Sequence, residues 1–363
     1  MEEEKIIDYA SLAEGPKLGN DPHGIGKYCI EEPLKKTFLS NPYLGNKQET
    51  FAVLECLDNI IMGRALFFPS KMKAGNELFN SKGGSSLYVT EEGRKMIFGA
   101  SLVLHPIMNS KNTVLLYAGM TEMAIAIYKK LKFQIFDVPH LFQIRKPMPF
   151  LQRLGVKGLL LNISNTFLTP FVKVWSRQYS WTKLPPDNNL EVKRMTKIPD
   201  WVEDIVLKDT HKYAELHNKA WFEWVINNNF FNKELDTQNL YGFFKNGVPV
   251  GFVLLTEREE RIESRGIDRL VIGKVSEWGT SNEKLLSEYQ IYKYSLNLFS
   301  QNVDMVSIST VDDRSRKGLR WQGFLPRGSY NIAFKAIGIN FDDDVNNIEN
   351  WRIRTSYSDT IFY

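Results

Sequence analysis

Residues 85–133 read SSLYVTEEGRKMIFGASLVLHPIMNSKNTVLLYAGMTEMAIAIYKKLKF. They divide into a strand (SSLYV), a polar loop (TEEGRK), a helix (MIFGASLVLH), a second strand (TVLLYAG) and a helix ending in AIAIYKKLKF. A strand that runs through a polar loop into a helix leaves the first N–H groups of that helix without helical partners, at its positive end. With a basic side chain beside them, such donors form a phosphate site. Arg94 and Lys95 stand at that point. Taken alone the feature reads as an ordinary solvated turn, and it gains weight only from the elements around it.

Outward from this stretch the chain repeats a rhythm. Residues 51–68, FAVLECLDNIIMGRALFF, alternate and break at Asp58-Asn59, and residues 241–255, YGFFKNGVPVGFVLL, do the same at Asn246-Gly247. Both read as β-hairpins with tight turns. A glycine follows each turn at the same offset, Gly63 and Gly251. Further on, strand TVLLY (113–117) leads to a helix closing at Phe133, and strand VDMVSIST (303–310) leads to LRWQGF closing at Phe324. From hairpin glycine to closing phenylalanine is 70 residues in one half and 73 in the other. The agreement in order, offset and span predicts a duplicated α/β unit. Apolar stripes at helical spacing, Ile97/Ala100/Leu104, Ala124/Ile127/Leu131 and Leu285/Tyr289/Tyr292/Leu296/Phe299, read as core positions. Trp221 and Trp224 at i, i+3 read the same way, and Gly24 and Gly26 as a flexible turn.

The totals suit two soluble domains, with 363 residues, 43% of them hydrophobic. A net charge of +4 is too small and dispersed for a nucleic-acid stripe. Two cysteines, Cys29 and Cys56, make no disulfide framework, and five scattered histidines show no metal-ligand spacing. The acidic start MEEEKIIDY does not read as a signal peptide, and no apolar run is long enough to span a bilayer, so the expected location is cytoplasmic. Between the repeats, LQRLGVKGLLLNISNTFLTPFVKVW is apolar with interspersed Arg153, Lys157 and Lys173. It predicts a connecting helix packed against both domains and interrupted near Pro170. A helix lying on a membrane surface is the alternative.

In the order of these elements the chain resembles the GNAT superfamily of acyl-CoA acyltransferases. That family's pyrophosphate loop reads R-x-x-G-x-G/A after a strand, matched by Arg94-Lys95-Met96-Ile97-Phe98-Gly99 with Ile97 in place of the middle glycine. Its later signature, N-x-x-A-x-x-L-Y-x-x-x-G-F, is matched by Ala124, Tyr128 and Phe133, with Thr121 for the asparagine and Lys132 for the glycine. The resemblance covers roughly residues 45–145. In the second half neither motif stands: GTSNEKLL follows the strand RLVIGKVSEW, and Leu319 occupies the tyrosine position.

The resemblance implies an α/β (α+β) fold of two tandem GNAT-like domains, each a mixed, mainly antiparallel sheet flanked by helices. Residues 1–147 would bind coenzyme and catalyse, 148–186 would form a helical linker, and 187–363 a degenerate copy walling the acceptor pocket. The implied co-substrate is acetyl-CoA or another acyl-CoA. The implied acceptor is a small polar molecule bearing an amine or hydroxyl; amino sugars and cell-envelope precursors are among those that duplicated GNAT-like enzymes use. Leu87 and Val89 would bond the pantetheine amides through their backbone. Arg94, Lys95, Met96, Ile97, Gly99 and Ala100 would cradle the pyrophosphate, and Tyr128 would protonate the leaving thiolate. For the base, Glu55 is the first candidate, ahead of Glu77 and Glu122. A non-catalytic acyl-CoA-binding protein is the competing expectation.

Overall fold

A computed structural model describes residues 3–96, 98–178, 189–228, 236–262 and 267–357. Within them lie strands β1 (Glu3–Asp8), β2 (Thr50–Leu57), β3 (Ile60–Ala74), β4 (Glu77–Val89), β5 (Thr113–Ala118), β6 (Gln134–Ile144), β7 (Leu190–Arg194), β8 (Tyr213–Glu215), β9 (Thr237–Lys245), β10 (Val248–Ile262), β11 (Ile267–Thr280), β12 (Met305–Ser309) and β13 (Leu325–Ile337). They join in one sheet, ordered β1-β2-β3-β4-β5-β13-β6-β12-β11-β10-β9-β7, with β8 added beside β3. Both expected hairpins are present. Asp58 and Asn59 (φ 48° and 63°) turn β2 into β3, and Asn246 and Gly247 (φ 52° and 77°) turn β9 into β10. Two successive left-handed residues match the twist of the strands they join.

The duplication is visible in the pairing. Within the paths from β1 to β5 and from β7 to β12, only the last step is parallel: Asn80–Gly83 beside Thr113–Leu116, and Ile272–Lys274 beside Met305–Ser307. Lys82 opposite Leu115 corresponds to Gly273 opposite Val306, both shifted by 191 residues. The same shift carries Thr121 to Asp312, the N-caps of helices Glu122–Lys130 and Asp313–Trp321. It also carries Phe133 to Phe324, whose amides bond the carbonyls of Tyr128 and Leu319 at 3.0 and 3.1 Å. The two departures from the family signature therefore keep its mechanics. Thr121 caps its helix by accepting from the Ala124 amide (3.3 Å), and Lys132 takes the left-handed turn (φ 57°) that Gly323 takes in the second copy (φ 85°).

The last long strands are exchanged. β13 runs antiparallel between β5 and β6, and β6 runs antiparallel between β13 and β12. Each half hands its final strand to the other, so neither half closes its sheet alone.

One face of the first half buries Phe38, Phe51 and Phe68 with Trp221 and Trp224; the Phe38 and Phe68 rings stack at 3.8 Å. Cys29 and Cys56 are free thiols in the same core. The opposite face carries helix Phe98–Asn109 over Val53, Phe67 and Val89. Its buried residues are Phe98, Leu102, Val103, His105 and Pro106, whereas Ala100 and Leu104 are half-buried; Ile97 lies outside the described residues. Ala124, Ile127 and Leu131 are half-buried, with Tyr128 the buried member of that helix. Leu285 is exposed, while Tyr292, Leu296 and Phe299 are core.

The connecting segment departs from expectation. It forms helices Met148–Arg153 and Gly158–Trp175, and the second continues through Pro170. Pro170 is exposed, so the carbonyl it leaves without a donor is on the side open to water. No residue of Gly158–Trp175 is buried, so the helix does not pack between the halves; it lies on the surface. Among the described residues no helix is long and apolar enough to cross a membrane.

Candidate functional site

β4 and β5 run side by side as far as Gly83 and Leu116, and then part. The cause lies in β4. Leu66 of β3 faces Ser85 but Arg64 faces Tyr88, an extra residue on the β4 side, and Ser86 takes φ 47° there. Such a bulge bends the strand and ends its pairing. Between the parted strands opens a groove of about 880 Å³, a size common for small-molecule sites.

The groove edge is set by strand alternation. Thr90 turns its amide to Met62 (2.8 Å) and Tyr88 sits opposite Arg64, so both address β3. The main-chain groups of Leu87 and Val89 are left on the groove side. Past Val89 a short helix, Glu91–Arg94, is capped by Thr90, and Gly93 is buried where a Cβ would press on Val89, Phe98 and Thr90. Arg94 donates from Nε to the Val89 carbonyl (3.0 Å), which holds its side chain along the mouth of the groove. Lys95 is exposed and pairs loosely with Glu91 at 4.0 Å. Met96, Gly99 and Ala100 line the groove, and the first turn of helix Phe98–Asn109 starts at its rim. Backbone edge, arginine and helix start thus fit an extended ligand with a phosphate end.

At the inner end stand two phenols. Tyr128 is buried on helix Glu122–Lys130, and its ring lies 4.5 Å from that of Tyr117, the penultimate residue of β5. Burial pushes the Tyr117 phenol above its ordinary range, and the neighbouring Tyr128 offsets part of the rise. Tyr117 lies flat against Gly84, where any Cβ would overlap its ring. The sequence reading places Tyr117 only at the end of the strand 113–117 and gives it no role; the available signal is Gly83-Gly84, which inside a strand marks close approach of another group.

The sequence-selected residues divide. Tyr128, Leu87, Val89, Arg94, Met96, Gly99 and Ala100 all line this one groove. Lys95 is beside it, and Glu55 is on β2, with β3 between it and β4. Neither Glu55 nor Glu77 nor Glu122 lines the groove, and the described lining holds no carboxylate or imidazole.

The equivalent opening in the second half is filled by the chain's own C-terminal segment. The same 191-residue shift carries Leu87 to Trp278, whose carbonyl accepts from Arg352 Nη2 (2.9 Å) and Arg354 Nε (3.1 Å). The Arg354 guanidinium also lies over the Trp278 ring at 3.6 Å. Ser86 corresponds to Glu277, fully buried and bonded to Arg352 (2.6 Å), His217 (2.5 Å) and Ser356 (2.8 Å). Burial alone would raise the Glu277 carboxyl, but Arg352, His217 and Arg354 hold it down at about 2. Where the first half carries the Arg94 loop, the second carries Glu283 and Glu288, and Tyr117 and Tyr128 are replaced by Ile308 and Leu319.

No family model matches the sequence, and no curated protein matches it. Solved structures do match the fold. A GCN5-related N-acetyltransferase from Anabaena variabilis superposes with a TM-score of 0.56 at 10% identity, over 93% of this chain and 73% of the other. A probable N-acyltransferase from Enterococcus faecalis gives 0.55 at 9%, with the same coverage. Saccharomyces cerevisiae N-myristoyltransferase with bound myristoyl-CoA gives 0.53 at 12%, over 84% and 73%. Together with the bulged, parted β4, these likenesses show that the chain has the GNAT fold, and the strand order repeats within it.

Proposed function

We propose that the chain is an acyltransferase that moves an acyl group from acyl-CoA to an amine or hydroxyl of a small polar acceptor. The observation that carries this reading is the open groove beside β4, with Arg94 at its mouth and the Tyr117–Tyr128 pair at its inner end. Pantetheine amides would pair with Leu87 and Val89 as an added strand, and the pyrophosphate would meet Arg94 and the start of helix Phe98–Asn109. In the reaction the acceptor atom attacks the thioester carbonyl carbon and the C–S bond breaks. An amide near the β4 bulge stabilises the oxyanion. Tyr128 gives its proton to the leaving thiolate and is assisted by Tyr117. The acceptor's own proton leaves to a base outside the groove lining. The filled second opening supports one coenzyme per chain, with the second half shaping the acceptor side.

A non-catalytic acyl-CoA binder is the second reading, favoured by the lack of a carboxylate or imidazole in the described lining. Calorimetry with CoA, acetyl-CoA and longer acyl-CoAs, paired with an assay for released thiol, separates the two. The acyltransferase reading expects one site per chain, weakened by about 1.5–3 kcal/mol in Arg94→Glu, and acceptor-dependent thiol release. Binding without release across a panel of amines and alcohols favours the binder, and no binding at all sinks both.

A further inference from the structure

The surface helix Gly158–Trp175 turns Leu161, Leu168 and Val172 partly inward. Outward it shows Leu159, Leu160, Ile163, Phe167 and Phe171, each between 57% and 76% exposed. At 100° per residue these five fall on one side of the helix. Contiguous apolar surface of this kind marks an interaction site. At the C-terminal end of the helix two tryptophans stand together, Trp175 and the 80%-exposed Trp321. Trp175 Nε1 donates to the Gly323 carbonyl (3.0 Å), and the Arg177 guanidinium donates to the Trp321 carbonyl (3.2 Å).

Beside that end lies a second cavity, of about 630 Å³, whose lining includes Arg145, Lys146, Lys173, Arg177 and Lys293. Among the described residues only Lys146 of these five has a carboxylate within ion-pair distance, Asp304 at 3.4 Å. Lys173, on the helix, and Arg177, two residues past its end, both line the cavity, so the apolar face and the basic cavity adjoin.

We propose that this surface docks the protein on a bilayer rich in anionic phospholipid. Apolar side chains on one face of a helix, tryptophans at its end and cations beside it match the layers of such a membrane, from acyl boundary to interface to headgroup phosphates. A second copy of the chain is a poorer fit. In a two-fold contact the same patch meets itself, and neither the helix nor the described cavity lining carries a carboxylate to pair with the other copy's cations.

The test uses the full chain with vesicles of phosphatidylcholine alone or of equal parts phosphatidylcholine and phosphatidylglycerol. Co-sedimentation is expected with the anionic vesicles at low salt, falling as salt is raised. Lys173→Glu/Lys293→Glu should weaken it by about tenfold or more, given the contribution of each cation near an anionic surface. Phe167→Glu/Phe171→Glu should abolish it. All four side chains lie at the surface, and Ile163→Glu replaces any variant whose circular dichroism changes. The proposal fails if the wild-type chain ignores anionic vesicles at low salt, or if the variants bind as well as wild type. It also fails if light scattering shows a dimer that Phe167→Glu/Phe171→Glu dissolves while vesicles are never bound.

Discussion

Tyr128 and Lys132 lie four residues apart, and each shows how one side chain is held to its task. Tyr128 is buried against Tyr117 and Phe133, whose ring centroids lie 4.5 and 5.0 Å away. A ring fixed this way holds the Tyr128 side chain in the groove wall. Tyr128→Phe keeps the ring and removes the donor, so kcat should fall by about 10²-fold or more with coenzyme affinity little changed. Turnover at the wild-type level would assign the acid elsewhere, with Tyr117 next to be tried. Lys132 carries a Cβ in a left-handed turn that favours glycine, at a cost of about 1–2 kcal/mol. Lys132→Gly should therefore raise the thermal midpoint, whereas Gly323→Ala should lower it. At Gly323 a Cβ would also press on the Trp175 main chain at 2.6 Å. A Lys132→Gly variant that melts earlier than wild type would mean that the Lys132 side chain does more for stability than its backbone costs.

At the scale of elements, the contrast between β4 and β11 decides what each half can do. Both strands part from their parallel neighbours, but the second opening is filled by Arg352 and Arg354, and the charges around Glu277 make that filling sensitive to acid. A carboxyl held near 2 when folded, against an ordinary 4.5, contributes stability that is fully present above about pH 4.5 and is lost as pH falls toward 2. His217 works in the opposite sense. Burial pushes it down, but Glu277 and Glu215 raise it overall, so its contribution holds below its ordinary range near 6.5 and fades as pH rises through the raised value. The thermal midpoint should thus drop on the acid side. Glu277→Gln should be less stable at neutral pH, by about 3–5 kcal/mol for a broken buried pair, and should show a shallower acid slope. An unchanged slope would move the acid sensitivity to other carboxylates. The sequence was most legible where structure is local. Asp58-Asn59 and Asn246-Gly247 announce their own turns, and Arg94 and Tyr128 sit at fixed distances from the strands that place them. The C-terminal filling was hidden, because Arg352 and Glu277 are 75 residues apart and nothing near either one names the other. Glu55 was misleading for a related reason: an acid on a hairpin strand shows its position along the chain, not how many strands separate it from the groove.

For the molecule as a whole, the exchanged strands tie the two halves into one unit. β5 has β4 on one side and only β13, some two hundred residues later, on the other. β12 likewise depends on β6 from the first half. Unfolding either half therefore strips a neighbour from the parallel strand of the other, including the strand that carries Tyr117 and forms one wall of the groove. Two domains joined by a linker would melt independently, but halves that share a sheet should melt together. Scanning calorimetry on the full chain should give one transition with van't Hoff and calorimetric enthalpies in agreement, and saturating acyl-CoA should move that whole transition upward as one. A coenzyme-shifted peak beside an unshifted one would show that the halves unfold separately, and that the exchange of β6 and β13 does not couple them.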